Sequence, residues 1–120
     1  MSGKGVWTFR LIVKGIKSRA ANRRSLEILG EFFAKALTPE AIMSHFGLTN
    51  EDLTPLLALG RLKDGFWPVR ALDSSVSPEA LAKILVKLAT YGFILVKPWR
   101  RLIRLSDAGR FLLILVVRDL

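Results

Sequence analysis

The sequence predicts a mainly α-helical fold with a small β-hairpin, and three observations carry that expectation. Apolar residues recur at helical spacing over 22–37 and again over 77–91. Thr38, Thr49, Ser77 and Ser106 each place a hydroxyl just ahead of a helical pattern, where it accepts a bond from a free backbone N–H of the first turn. Two short β-prone runs, 93–97 and 102–105, flank a basic tip, Pro98-Trp99-Arg100-Arg101.

Taken in chain order, Val6 to Val13 (VWTFRLIV) is rich in β-branched and aromatic residues with partial alternation, so it reads as a short strand ended by Gly15. Lys17 to Arg24 reads either as a basic linker or as the first turns of a helix. Leu26, Leu29, Phe33 and Leu37 then mark an amphipathic helix from about Asn22 to Leu37. Thr38-Pro39-Glu40 is a cap followed by proline at the first helical position, where its missing N–H costs nothing, and Gly47 stops that short helix. Thr49 caps the next helix, with Asp52 three residues on as a capping box, and Leu53, Leu56, Leu57 and Leu59 on its apolar side. Pro55 falls early in this helix and is a place for local distortion.

Ser77 and Pro78 start the clearest helix of the chain. Leu81, Ile84, Leu85 and Leu88 face a core, while Glu79, Ala80, Lys83 and Lys87 face outward, and Gly92 stops it. After the hairpin, Ser106 caps a last helix from Asp107 to about Asp119. Phe111 to Val117 makes that helix apolar almost all round, more than one face against a small domain requires. It is expected either to lie buried beneath the N-terminal elements or to pair with a second copy, and its β-branched end is also compatible with a strand.

Composition narrows the function classes. With 120 residues, 51% of them hydrophobic, the chain can bury a core as one domain or as one small domain with an extension. Cysteine is absent, so neither a disulfide framework nor a thiolate metal site is available. Glutamine is absent and asparagine occurs only at Asn22 and Asn50, an avoidance of heat-labile side chains that fits a thermophile. The run Phe111 to Val117 is too short to span a bilayer, and Arg10 and Lys14 interrupt any signal-peptide core, so the expected location is cytoplasmic, with no membrane partner.

Charge is the second strong signal. The net charge of +9 is divided as +7 over residues 1–24, which hold no acid, −2 over 25–96 and +4 over 97–120. A near-neutral centre with basic ends suggests a polyanion-binding surface; the plainer reading is a solvated basic exterior.

The segment 77–113, with its capped helix, glycine stop, basic-tipped hairpin and the following LSDAGRFLL, resembles the winged helix-turn-helix superfamily, whose regulators often carry an "LT-x-x-G-R-x-L" run after the wing. The resemblance covers the C-terminal half at the level of fold and implies a DNA-binding domain over residues 49–120. Within it Thr49 to Asp64 is the first helix, Val69 to Ser74 a short second and Ser77 to Tyr91 the recognition helix. Residues 1–48 form a basic N-terminal strand and helices that complete the fold. Thr38 to Leu57 is itself similar to a helix-turn-helix, with Ile42, Phe46, Gly47, Leu48, Thr49, Leu53 and Leu56 in place, although Met43 stands where that motif often has a small residue. Its second helix opens on Glu51 and Asp52, which oppose phosphate contact, so the later candidate is preferred.

The resemblance implies double-stranded DNA as partner, nucleoid association, and transcriptional regulation as the simplest function. The expected contact residues are Ser77, Glu79, Ala80, Lys83 and Lys87 on the recognition helix, and Lys97, Trp99, Arg100, Arg101 and Arg104 on the wing. Ala80 is small enough to touch a thymine methyl, and Glu79 can accept from a cytosine amino group. Trp99 either packs on the sugar-phosphate edge or folds back on Phe93; Trp7 and Trp67 read as core or interface residues. Alternatives are an architectural chromatin protein, an RNA- or ribosome-associated winged helix, and a winged helix used for protein contact.

Enzymatic chemistry finds no footing in the sequence. His45 is the only histidine, so a metal site is not expected. No phosphate-binding GxxxxGK[ST] or GxGxxG pattern occurs, so no cofactor is expected and the chain reads as a binding module. The apolar last helix, with many winged-helix regulators dimerising through terminal helices, points to a homodimer.

Overall fold

Thr38, Thr49, Ser77 and Ser106 each accept a bond from the backbone N–H three residues on, at Ala41, Asp52, Ala80 and Gly109. Every helix start that a hydroxyl marks in the sequence is therefore realised. The computed structural model describes residues 2–72, 77–97 and 100–117, with side chains from residue 17 onward. Its elements are α1 (Ser2–Ala34), α2 (Pro39–Phe46), α3 (Asn50–Arg61), β1 (Trp67–Pro68), a 3-10 turn (Val69–Ala71), α4 (Pro78–Thr90), β2 (Ile94–Lys97), β3 (Leu102–Leu105) and α5 (Asp107–Val116). The chain is thus mainly helical with a small antiparallel sheet in the order β1-β3-β2.

The strand expected at Val6 to Val13 does not form; those residues lie inside α1, which runs unbroken for 33 residues through Gly15 and the basic segment 17–24. Val6, Phe9, Val13 and Ile16 also fall at spacings of three and four, a helical period that the alternation masks. A helix closes its own backbone hydrogen bonds, whereas a strand needs a neighbouring edge, and tertiary context overrides the β preference of such residues.

The short second helix expected at Val69 to Ser74 is a single 3-10 turn, Val69–Ala71, and 73–76 lie outside the described residues. Pro68 just before it occupies the two-residue strand β1, which pairs Trp67 with Ile103 and Pro68 with Leu102. α3 continues through Pro55. The carbonyl that Pro55 cannot serve belongs to Glu51, which is exposed and open to water.

Strands β2 and β3 pair from Ile94↔Leu105 to Lys97↔Leu102. Their alternation sends Ile94, Val96, Ile103 and Leu105 inward, and Leu95, Lys97, Leu102 and Arg104 outward. The inward set joins Leu29, Phe46, Leu56, Leu85, Phe93 and Leu112 in one core. At its centre Phe46 meets Phe93 edge-on at 5.0 Å and Tyr91 at 5.3 Å.

One seam locks the two ends of the chain together. α4 ends with the Phe93 amide on the Leu88 carbonyl and the Gly92 amide on the Ala89 carbonyl, with Gly92 in the left-handed region at φ +73°. A Cβ on Gly92 would lie 2.0 Å from the Asn22 nitrogen, so only glycine lets α1 cross there. Asn22 Oδ1 accepts from the Ala108 amide at 2.9 Å and Ser25 Oγ donates to the Tyr91 carbonyl at 2.5 Å. Ser106 caps α5 and donates to the Gly92 carbonyl, also at 2.5 Å.

α5 is not apolar-exposed all round. Ala108, Gly109, Leu112 and Leu113 are buried, and α5 packs on α1, α2 and α3. Of the rest, Asp107 is exposed, Arg110, Phe111, Leu115 and Val116 are half-buried, and Ile114 is 70% exposed. The helix ends at Val116, short of the expected Asp119, and 118–120 lie outside the described residues.

Candidate nucleic-acid interface

The expected contact surface is carried by α4 and the β2–β3 hairpin. α4 buries Ala82, Ile84, Leu85, Leu88 and Ala89, while Glu79, Lys83 and Thr90 stay exposed and Ala80 is half-buried. Ser77 is exposed, and its hydroxyl oxygen is engaged in capping the Ala80 amide at 3.2 Å. Lys83 therefore stands on an open helix face among small and polar neighbours.

Lys87 departs from the expectation of a free outward cation. Its ammonium donates to Asp52 Oδ2 at 2.9 Å, and Asp52 is buried. The same carboxylate accepts from the Thr49 amide at 2.9 Å, completing a reciprocal cap at the start of α3. Burial pushes the Asp52 carboxyl up, but the Lys87 ammonium and the Thr49 N–H outweigh it and hold it below the usual carboxylate range. Lys87 is thus an inter-helix tie, and its charge is largely spent within the fold.

On the outer face of the sheet, Lys97 lies over the Phe66 ring at 4.4 Å with the Arg104 guanidinium 5.9 Å from the same ring. Arg104 is also bound to Asp64 Oδ2 at 3.0 Å, and Arg110 of α5 to the other oxygen at 2.7 Å. The Arg110 hydrogen bond, helped by the Arg104 and Arg110 charges, holds Asp64 below its ordinary pKa against the opposing effect of desolvation. Arg104 too is partly neutralised, in contrast to its expected role as a free wing cation.

At the hairpin tip Arg100 and Arg101 are both exposed, and Arg101 adopts φ +53°, a left-handed turn conformation. The Arg101 carbonyl accepts from the Val69 amide at 3.3 Å, which ties the tip to the residue after β1. Trp99, the remaining expected wing contact, lies outside the described residues. Lys83 on α4 and Arg100 and Arg101 at the hairpin tip are thus exposed cations, Lys97 is exposed but rests on Phe66, and Lys87 and Arg104 are paired.

Several partners in this arrangement were not visible in the sequence. Asp52 reads locally as a capping residue, and its ion pair joins positions 35 apart. Asp64 reaches Arg104 and Arg110 across 40 and 46 residues. Phe66 gave no signal beyond being aromatic ahead of Trp67, whose indole N–H donates to the Lys63 carbonyl at 2.7 Å. His45 makes edge contacts with Phe32 at 4.8 Å and Phe46 at 4.9 Å, a packing role.

Among the described residues no three His, Asp or Glu side chains converge as a metal site would require, and no helix is long and apolar enough to cross a membrane. No protein-family model, no curated protein and no solved structure matches the chain.

Proposed function

We propose that this chain is a double-stranded DNA-binding protein of the winged helix-turn-helix type, acting as a transcriptional regulator. α4 enters the major groove and the β2–β3 hairpin serves as the wing. The observation that carries this reading is the hairpin tip: two exposed arginines on a turn tied to β1, in a chain whose α4 also presents an exposed Lys83. The order α3, β1, 3-10 turn, α4, β2, β3 supports it, since β1 pairing with β3 anchors the wing to the helices. The tip arginines suit phosphate or the minor groove, and Lys83 with Glu79 and Ala80 lies where base edges are read.

The test is a binding titration of the intact chain against duplex DNA, single-stranded DNA and duplex RNA at several salt concentrations. With about five phosphate contacts the log–log slope for duplex DNA is expected near −4 to −5. A slope near zero, or preference for duplex RNA, overturns the reading.

A homodimer is part of this proposal, and we shift its seam to apolar side chains that stay exposed. Leu112 and Leu113, expected at the interface, are buried within the chain. Among the described residues the large apolar side chains left exposed are Ile114 on α5, Leu37, and Phe33, 66% exposed, whose ring lies 6.1 Å from Phe111. A two-fold contact through this patch would set two α4 helices on one duplex. Sedimentation equilibrium at micromolar concentration reads it directly.

A further inference from the structure

The acid-free beginning of the chain becomes a ridge once α1 is docked. Ser18, Ser25 and Leu29 are buried and Asn22 is bonded to Ala108, which marks the face of α1 turned toward the core. Lys17, Arg19, Arg23 and Arg24 are all exposed, and none has an ion-pair or hydrogen-bond partner among the described residues. With 3.6 residues per turn, Arg19 and Arg23 stack one turn apart on one flank of the outward face. Lys17 and Arg24 stack two turns apart on the other. Four cations therefore straddle one exposed strip of helix, and Glu27 is the first acid in the chain. Like charges one turn apart destabilise a helix, and the nearest acid, Glu27, lies on the C-terminal side of all four, within reach of Arg23 and Arg24 alone.

The ridge is not a loose basic arm. The Gly92 turn leaves no room between α1 and the end of α4, and Asn22 also holds the start of α5. Arg23 and Arg24 directly follow that anchor, so their backbone is fixed relative to α4, against which α1 makes its most extensive packing. Three guanidinium groups and one ammonium on a fixed backbone suit a row of phosphates, because each planar guanidinium fork can bind two phosphate oxygens.

We propose that Lys17, Arg19, Arg23 and Arg24 form a second phosphate-contact surface, gripping the backbone of the same DNA duplex alongside α4. This rests on the DNA-binding reading above. The wing and α4 choose where the protein sits, and the α1 ridge adds affinity that is indifferent to base sequence.

The test measures affinity for two unrelated duplexes across a salt series, using the full chain and four double variants. Arg23→Ala with Arg24→Ala is expected to weaken both duplexes alike, roughly tenfold at low salt, and to flatten the log–log slope by about 0.9 per lost contact, near 1.8 in all. Arg61→Ala with Lys63→Ala removes the same charge from exposed positions elsewhere and should leave the slope nearly unchanged. Arg23→Lys with Arg24→Lys keeps the charge and should restore the slope, which separates lost contacts from lost folding. An unchanged slope for Arg23→Ala with Arg24→Ala, while Arg100→Ala with Arg101→Ala flattens it, overturns the ridge and leaves the DNA reading standing. Equal flattening by the Arg61–Lys63 variant also overturns the ridge, since diffuse net charge then suffices. No duplex binding by the unmodified protein overturns both.

Discussion

Replacing Gly92 by alanine probes the seam that holds the two ends of the chain together. Two costs add. At φ +73° an alanine occupies the left-handed region, about 1–2 kcal/mol above a right-handed conformation. Its Cβ would also lie 2.0 Å from the Asn22 nitrogen and 2.5 Å from the Ala21 carbonyl carbon, both backbone atoms that cannot rotate aside. Relief requires α1 to move, and forced backbone shifts of that kind cost about 1–3 kcal/mol. The expected loss is therefore about 2–5 kcal/mol, a large share of the stability of an ordinary domain. With an unfolding entropy of about 0.25 kcal/mol/K for a chain of this length, Tm should fall by about 8–20 °C.

Two further glycines separate the two costs. Gly47 has φ +64° with nothing within 4 Å of its hypothetical Cβ, so Gly47→Ala reports backbone strain alone, about 4–8 °C. Gly109→Ala reports crowding alone, since its φ is ordinary but a Cβ would sit 2.2 Å from the Phe93 carbonyl oxygen. Thermal unfolding followed by circular dichroism ranks the three. If Gly92→Ala costs no more than Gly47→Ala, α1 does not bear on that turn and the docking described here is wrong.

Leu85 is fully buried, and Leu85→Ala should cost about 2–5 kcal/mol in urea unfolding; an unchanged midpoint would mean α4 is rotated from the face assigned to it. Asp52 has a folded pKa below its unfolded value, so the stability it contributes is present above about pH 4 and is lost as pH falls through the folded value. Asp52→Asn should accordingly cost about 1 kcal/mol near neutrality, discounted because Lys87 remains 37% exposed to water, with the gap to the unmodified protein closing in acid; a gap that is constant with pH would discount the ion pair. Arg100→Ala with Arg101→Ala should change stability by less than about 0.5 kcal/mol, both side chains being exposed, while weakening duplex binding; unaltered affinity would remove the wing from the interface. Ile114→Glu should leave the fold intact, and in sedimentation it should convert a dimer to a monomer; a variant that still dimerises moves the seam elsewhere.

Much of this architecture was legible because it is written in local chemistry. A hydroxyl followed by a bond to the third amide, proline at the first helical position, and glycine at a left-handed stop all act within a few residues, and α2, α3, α4 and α5 begin where those signs place them. What was hidden depends on distant partners. β1 is two residues long and contains Pro68, so it exists only because β3 lies beside it. Val6 to Val13 has the composition of a strand, yet no sheet edge receives it. In the candidate interface, exposed Lys83, Arg100 and Arg101 were readable from pattern and turn chemistry. The commitment of Lys87 to Asp52 and of Arg104 to Asp64 was not, because each pair spans 35 residues or more.

The seam between Asn22 and the turns at Gly92 and Ala108 also sets a timetable for synthesis. Ser25 must wait for a carbonyl 66 residues later, and Asn22 for an amide 86 residues later. At about 5–20 residues per second, α1 leaves the ribosome roughly 4 to 17 s before its last partner exists. Until α4 and then α5 emerge, α1 lacks the two helices it packs on most, and the positive charge of its first 24 residues opposes aggregation of the nascent chain.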